Sequence, residues 1–393
     1  MTELMQSSPP STGGQVTLAN WRTAPFNAWA FHHVSEIVPS AVMHNDPAAA
    51  KILPSGSRVE MPGCRYSGEA LDFEEFCARC NVDALVVLHR GHVVHEHYAN
   101  GMTAQDPHIL MSVSKSMLGL VCGILADHGI LDIDAKAITY VPEIASTAFR
   151  DTTVRDLLDM RSGIHFIEDY LATEGQIVDY RKSTNWNPLA PGEAETDLRS
   201  FLLSLTDVKN APGGDFDYIS PCTDLLGWII ERATNKPYAF VFSELLLKPL
   251  RTESPAMITV DRLGAPRTAG GKSLTARTLA QIGQMLVEDG AGVVPKSWIE
   301  DIEQNGDPGA WDRGSMKADF LDIPMHYRSK WYVLRDRGPI IMGIGIHGQN
   351  LIVDRKAELV MVRFCSGPEP LNIPSDLAAV SLFENIRKSL NKS

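Results

Sequence analysis

Residues suited to β-strands gather in two regions far apart in the chain, and this separation limits the folds open to it. Ala84–His89 and His92–Tyr98, joined by Arg90-Gly91, read as a β-hairpin with a glycine turn. Strand patterns return at Ile340–Ile346, Leu351–Val353 and Glu358–Phe364. Between these regions, Val154–Met160, Asp197–Leu205, Asp224–Thr234, Tyr238–Leu246 and Thr275–Glu288 carry the 3.6-residue apolar period of helices. Ser375–Leu390 adds an amphipathic helix at the end. A short strand pair cannot bury its apolar face alone, so strands from both ends are expected to meet in one antiparallel sheet, with the helical middle as an insertion. The fold class is α+β. The expected organisation is a flexible tail over 1–20, a sheet domain from 21–115 and 265–393, and a mostly helical domain over 116–264, with a site at their junction. At 393 residues the chain exceeds one typical core, which suits this division.

Composition removes several function classes. The formal net charge is -12 and no basic block is present, which argues against nucleic acid or an anionic membrane surface as partner. No apolar run reaches the roughly 18 residues of a membrane span. Met1–Gly14 is polar and lacks the basic and apolar regions of a secretory signal, so a cytoplasmic protein is expected. Cys77-Ala-Arg-Cys80 is a C-x-x-C without a second pair, in an amphipathic stretch, and reads as two reduced helical cysteines. His95 and His97 share a strand face without further ligands at suitable spacing, and read as solvent-facing. No metal, nucleotide or haem is implied.

The candidate chemistry lies in Met111-Ser112-Val113-Ser114-Lys115-Ser116, followed by the apolar face Met117, Leu118, Val121, Cys122, Ile124 and Leu125. This helix should stop at His128-Gly129. Residues three apart on a helix share a face, so Lys115 can reach the hydroxyl of Ser112. A serine becomes a nucleophile when a nearby base takes its proton, and a neutral lysine is one such base. A serine here would equally serve as a helix N-cap, and a lysine as a solvated surface charge.

Further stretches follow Ser112-x-x-Lys115 in a characteristic order. They are Thr153-Val-Arg-Asp-Leu-Leu-Asp-Met-Arg-Ser-Gly-Ile164, Pro212-Gly-Gly-Asp-Phe-Asp-Tyr218 with Asp224–Glu231, and Ala269-Gly-Gly-Lys-Ser-Leu-Thr-Ala276. Their order resembles the class C branch of the serine β-lactamase and penicillin-recognising superfamily. Asn27–His32, Glu36–Ser40, His108–Lys115, Glu168-Asp-Tyr170, Trp186 and Gly343–Asn350 resemble the 6-aminohexanoate-dimer (nylon-oligomer) hydrolases within that branch.

The resemblance implies a β-lactamase/DD-peptidase-like fold and a catalytic set of Ser112 as nucleophile, Lys115 as base and Tyr218 as proton relay. Tyr218 would need a neighbouring cation to act as a phenolate near neutral pH. The oxyanion hole would use the backbone N–H groups of Ser112 and Ile346, with Gly345 admitting the substrate; a register at Gln349 is the alternative. Tyr170 and Trp186 are expected in a lid, and Glu168 or Asp179 would receive a substrate ammonium, although Arg181 lies beside that position. Tyr218-Ile-Ser220 stands where β-lactamases have Tyr-x-Asn, and Gly343-Ile-Gly345 where they have Lys-Thr-Gly. His347 is a partial substitute for the missing cation. The expected substrate is a small linear amide or short-chain ester, without cofactor; a homodimer is compatible with the sequence. The competing readings are a β-lactamase or D-Ala-D-Ala peptidase, and a non-catalytic binding protein that kept the pocket.

Overall fold

A computed structural model describes residues 4–320 and 323–390, and in it the two strand regions meet. The strands are β1 (Ser40–Met43), β2 (Cys64–Tyr66), β3 (Glu69–Leu71), β4 (Val82–His89), β5 (His92–Tyr98), β6 (His108–Ile109), β7 (Ala256–Thr259), β8 (Lys272–Leu274), β9 (Met325–Arg328), β10 (Trp331–Leu334), β11 (Ile340–Gly345), β12 (Gln349–Asp354) and β13 (Leu359–Cys365). The main sheet has the order β5-β4-β13-β12-β11-β10-β9, so the N-terminal hairpin joins the C-terminal meander where β4 pairs antiparallel with β13. Both strands are almost wholly buried, as expected for a sheet covered on both faces. The Ala276–Val287 helix, capped by Thr275 on the Thr278 N–H, packs on β4, β12 and β13.

A second sheet with the order β1-β7-β8-β6 was not anticipated. Its strands are two to four residues long, too short to show a period, and β7 falls within the stretch expected to be helical. Parts of the segment expected as a tail pack on the rest of the chain, although most of its described residues are exposed. Val16 is buried, and Leu4 and Met5 lie against a smaller apolar cluster containing Trp21, Phe31, Met111 and Trp186. None of the helices among the described residues is long and apolar enough to cross a membrane.

Cys77 and Cys80 are buried and unpaired at the end of the Phe73–Arg79 helix, and burial pushes the Cys77 thiol up to about 12. His95 is also buried, edge-on to Phe73, which corrects its expected solvent-facing position. The strand face that carries it is covered by the Phe73 helix.

The Val113–Asp127 helix forms the scaffold of the candidate site. It runs between the main sheet and the Pro221–Thr234 helix, and ends at His128 with Gly129 at φ 67°. Gly119 allows close packing, since a Cβ there would lie 2.1 Å from the Ser329 carbonyl oxygen.

Candidate active site

The chain reaches the Val113–Asp127 helix through a strained turn. Met111 has φ 45°, a conformation unfavourable for a side chain with a Cβ. It is held by its neighbours: the Leu110 N–H donates to the Lys272 carbonyl at 2.8 Å, and Met111 itself is buried. Ser112 occupies the helix N-cap position, yet its side chain does not cap the helix. Its Oγ lies 2.7 Å from Lys115 Nζ instead.

Lys115 is 2% exposed, so its surroundings are not those of a solvated lysine. Nζ also donates to the Ala269 carbonyl at 2.7 Å. Burial lowers its pKa to about 7, against the opposing pull of Glu168 and Asp224, while Lys330 and Arg267 lower it further. Near neutral pH a large fraction of this amine is unprotonated, and a neutral amine can accept the Ser112 proton.

Tyr218 approaches from the segment before the Pro221–Thr234 helix. Lys115 Nζ lies 5.0 Å from its ring centroid, and its hydroxyl interacts with Ser112 and Tyr332. Its electrostatics differ from the expectation of a resting phenolate. Burial and then the Glu168 charge raise its pKa well above the ordinary tyrosine value, so the phenol keeps its proton near neutral pH. The group is therefore equipped to donate a hydrogen bond or a proton.

The end of β11 closes the other side. A Cβ on Gly345 would stand 2.7 Å from the Leu110 carbonyl oxygen and 3.0 Å from the Ser112 amide nitrogen, so only glycine brings the strand this near. Ile346 follows directly and borders the same space as Ser112. Gln349 is placed differently: it pairs with Gly345 in the ladder, and its side chain bonds to the Cys365 backbone.

Ser112 opens into a cavity of about 460 Å³ bordered by Phe166, Tyr218, Met316, Tyr332, Ile344 and Ile346, among others. Glu168 is there but committed: the Ser220 N–H donates to Oε2 at 2.6 Å, the Tyr170 hydroxyl to Oε1 at 2.7 Å, and the Ser220 hydroxyl also to Oε1. Ser220 thus serves the Glu168 carboxylate. Tyr170 sits where this cavity meets two smaller ones.

Three expected positions are corrected. Asp179 is exposed and borders none of the cavities at Ser112, whereas Arg181 does. Residues two apart on a helix face nearly opposite ways, so the Gln176–Ser183 helix turns Arg181 inward and Asp179 outward. Trp186 is 3% exposed and fixed in the wall by Nε1 bonding Thr259 Oγ1 at 3.1 Å, which is not the position of a lid. His347 is buried, its Nδ1 bonds the Gly367 carbonyl at 2.8 Å, and burial lowers its pKa to about 4. It is neutral and cannot replace a lysine cation.

Sequence reasoning missed the supports behind Lys115. Asp224 is buried and accepts from the Ala269 N–H at 2.8 Å and from Thr268 Oγ1 at 3.1 Å, with a further bond from the Tyr180 hydroxyl. It fixes the peptide whose carbonyl orients Lys115. A carboxylate inside an apolar helical run was the available signal. Tyr332, on β10, gave none.

A serine–lysine pair at a helix entry, facing a tyrosine and a strand edge across an α+β body, defines a class that comparison with known proteins identifies. The beta-lactamase family model matches residues 74–381, and the chain belongs to that family. Within it, the chain is similar to the 6-aminohexanoate-dimer hydrolase of Paenarthrobacter ureafaciens, at 34% identity over 369 residues, covering 92% of this chain and 91% of that one. A solved structure named "Putative 6-aminohexanoate-dimer hydrolase from Bacillus anthracis" superposes with a TM-score of 0.86 at 26% identity, over 98% of this chain and 99% of the other. Esterase EstB of Burkholderia gladioli is 29% identical over 145 residues, 36% of each chain.

Proposed function

We propose that this protein is a serine hydrolase that cleaves linear amides or short-chain esters through an acyl-enzyme on Ser112. The observation that carries this reading is the buried Lys115 amine, 2.7 Å from the Oγ of Ser112, which borders the large cavity. The hydrolase and esterase relatives support the reaction class.

In this reading Ser112 Oγ attacks the substrate carbonyl while neutral Lys115 takes the hydroxyl proton. The developing oxyanion is received by the Ser112 and Ile346 N–H groups. Tyr218, kept as a phenol, donates a proton to the departing amine or alcohol as the C–N or C–O bond breaks, and regains one from Lys115. Water then attacks the acyl-enzyme in the reverse sense, releasing the acid and restoring Ser112. The site would lie between the sheet-built part of the chain (21–115 with 265–393) and the helical part (116–264).

The missing Lys-Thr-Gly lysine, with His347 neutral, removes the strand-borne cation of the β-lactamase pattern, so β-lactamase or D-Ala-D-Ala peptidase action is disfavoured. The test is a panel of p-nitrophenyl esters, 6-aminohexanoate dimer and nitrocefin, compared by kcat/KM, together with fluorophosphonate labelling. Ester or amide turnover with an adduct on Ser112 is expected. Turnover with the adduct elsewhere would overturn the assignment, and no turnover with no adduct would favour a binding protein.

A further inference from the structure

Three arginines stand close to Ser112 but outside the wall of the large cavity. Arg22, Arg181 and Arg267 come from an N-terminal turn, the Gln176–Ser183 helix and the loop before β8. All three border the small space that also contains Ser112, Lys115 and Tyr170. Arg22 and Arg181 continue into an adjoining cavity of about 290 Å³, whose wall includes Tyr170, Ile346 and His347.

Their partners are all neutral. Arg22 Nη2 donates to Asn187 Oδ1, and Arg267 Nη1 to Thr184 Oγ1 at 2.8 Å. Arg181 donates to the carbonyls of Tyr170 at 2.9 Å, Ala172 at 3.3 Å and Asp169 at 3.5 Å. Arg267 also stacks over the rings of Trp186 and Tyr180, at 4.1 and 4.3 Å. The carboxylate sharing the small space is Glu168, whose two oxygens already serve Ser220 and Tyr170. The Nε groups of Arg22 and Arg267 are buried with no acceptor, although Arg267 is 94% enclosed, being 6% exposed.

Glu168 and Asp169 act on Arg181 only through space, and burying guanidinium groups together with no carboxylate hydrogen-bonded to any of them is costly, because each loses hydration and repels the others. The repulsion is visible at Arg22, where burial first and then Arg181 and Arg267 lower the pKa to about 9. Guanidinium groups with unused donors, gathered around one space, are what a carboxylate requires.

We propose that Arg22, Arg181 and Arg267 form a carboxylate-binding subsite, so that the preferred substrates are amides or esters whose chain ends in a carboxylate. This rests on the hydrolase reading above. The reacting carbonyl would lie over Ser112, with the carboxylate end in the arginine-lined cavity and the remaining group in the large one.

The test pairs mono-4-nitrophenyl glutarate with the neutral 4-nitrophenyl butyrate, and separately titrates glutarate into the hydrolysis-dead Ser112→Ala protein. The anionic ester should have the higher kcat/KM, and glutarate should bind and compete with it. Arg22→Gln and Arg181→Gln should each lower the anionic-to-neutral ratio and the glutarate affinity by roughly 10- to 100-fold, with Arg22→Lys retaining part of both. Arg22→Gln guards against misfolding of Arg181→Gln, because Arg181 also holds the 169–172 loop. A ratio near one in the unaltered protein, or a ratio unchanged by Arg22→Gln, overturns the proposal. Inorganic phosphate binding as tightly as glutarate without competing with the ester would mark a resident-anion site and overturn it too. If neither ester is cleaved and Ser112 takes no fluorophosphonate, the hydrolase reading fails, while the glutarate titration still decides whether the arginines hold a carboxylate.

Discussion

Lys115 and Lys272 are near twins electrostatically and differ in everything that matters for chemistry. Both are buried, and burial lowers each to about 7. Both donate to consecutive carbonyls of one turn, Lys115 to Ala269 and Lys272 to Thr268, and Asp224 opposes the shift in both. Lys272 then meets the Ser114 carbonyl at 3.1 Å and the Tyr238 ring, 4.8 Å from its centroid. Lys115 meets a serine hydroxyl that opens onto a cavity. A depressed pKa therefore records burial, while a reactive partner and room for substrate make it useful.

The sharpest way to break this comparison is to remove each member in turn. Ser112→Ala should reduce ester turnover on the order of 10⁴-fold or more, with the thermal midpoint close to that of the unaltered protein. Lys115→Met should cost roughly 10²- to 10⁴-fold in kcat. Lys272→Met should leave kcat close to its starting value, since its amine touches no reacting group. Equal losses in the two lysine variants, measured on p-nitrophenyl acetate, would show that the difference in access is not what separates them.

Tyr218→Phe tests the third group by leaving group. An amine must be protonated as it departs, whereas p-nitrophenolate leaves as an anion. The loss should approach 10²-fold on an amide substrate and be markedly smaller on a p-nitrophenyl ester. Equal losses on both would assign Tyr218 to holding the site's shape.

The legible parts of this molecule were those with local periodicity or fixed spacing. The hairpin at β4 and β5, the strands β11 and β13 and the helix after Ser112 all carry enough residues to show a period, and the Ser112–Lys115 spacing follows from one helical turn. Strands β1, β6, β7 and β8 are too short to show one and exist through pairing across the chain, so the second sheet was invisible. The same limit applies to charge. Nothing local to Arg22, Arg181 and Arg267 says that residues so far apart in sequence converge, and nothing near Tyr218 revealed that Glu168 would raise its pKa instead of a cation lowering it. Asp179 was misplaced because Gln176–Ser183 showed no clear helical period, so the rotation that turns Arg181 inward and Asp179 outward was hidden.

The pH dependence of turnover separates Lys115 from the groups around it. Lys115 must lose its proton to act as a base, so kcat/KM should rise through about pH 7 and level above it. Tyr218, raised from its ordinary value, should add no alkaline fall below pH 10. Glu168 is the largest influence holding the Lys115 pKa up, so Glu168→Gln should move the rising limb to lower pH. A limb that stays in place would remove Lys115 as its source.

Lys272 supplies the smallest and most particular effect, on stability alone. Its folded pKa lies below its unfolded value of about 10.4, so between roughly pH 7 and 10 the unfolded chain binds the extra proton. The cost of burying this lysine is full below pH 7 and fades as pH rises toward the unfolded value. Lys272→Met removes that cost, so its stability relative to the unaltered protein should be most favourable near pH 6 and decline steadily toward pH 10, read from urea midpoints at each pH. A pH-independent difference would mean that Lys272 keeps its charge when buried, held by the Ser114 and Thr268 carbonyls and the aromatic rings. In that case the two lysines would differ in protonation as well as in access.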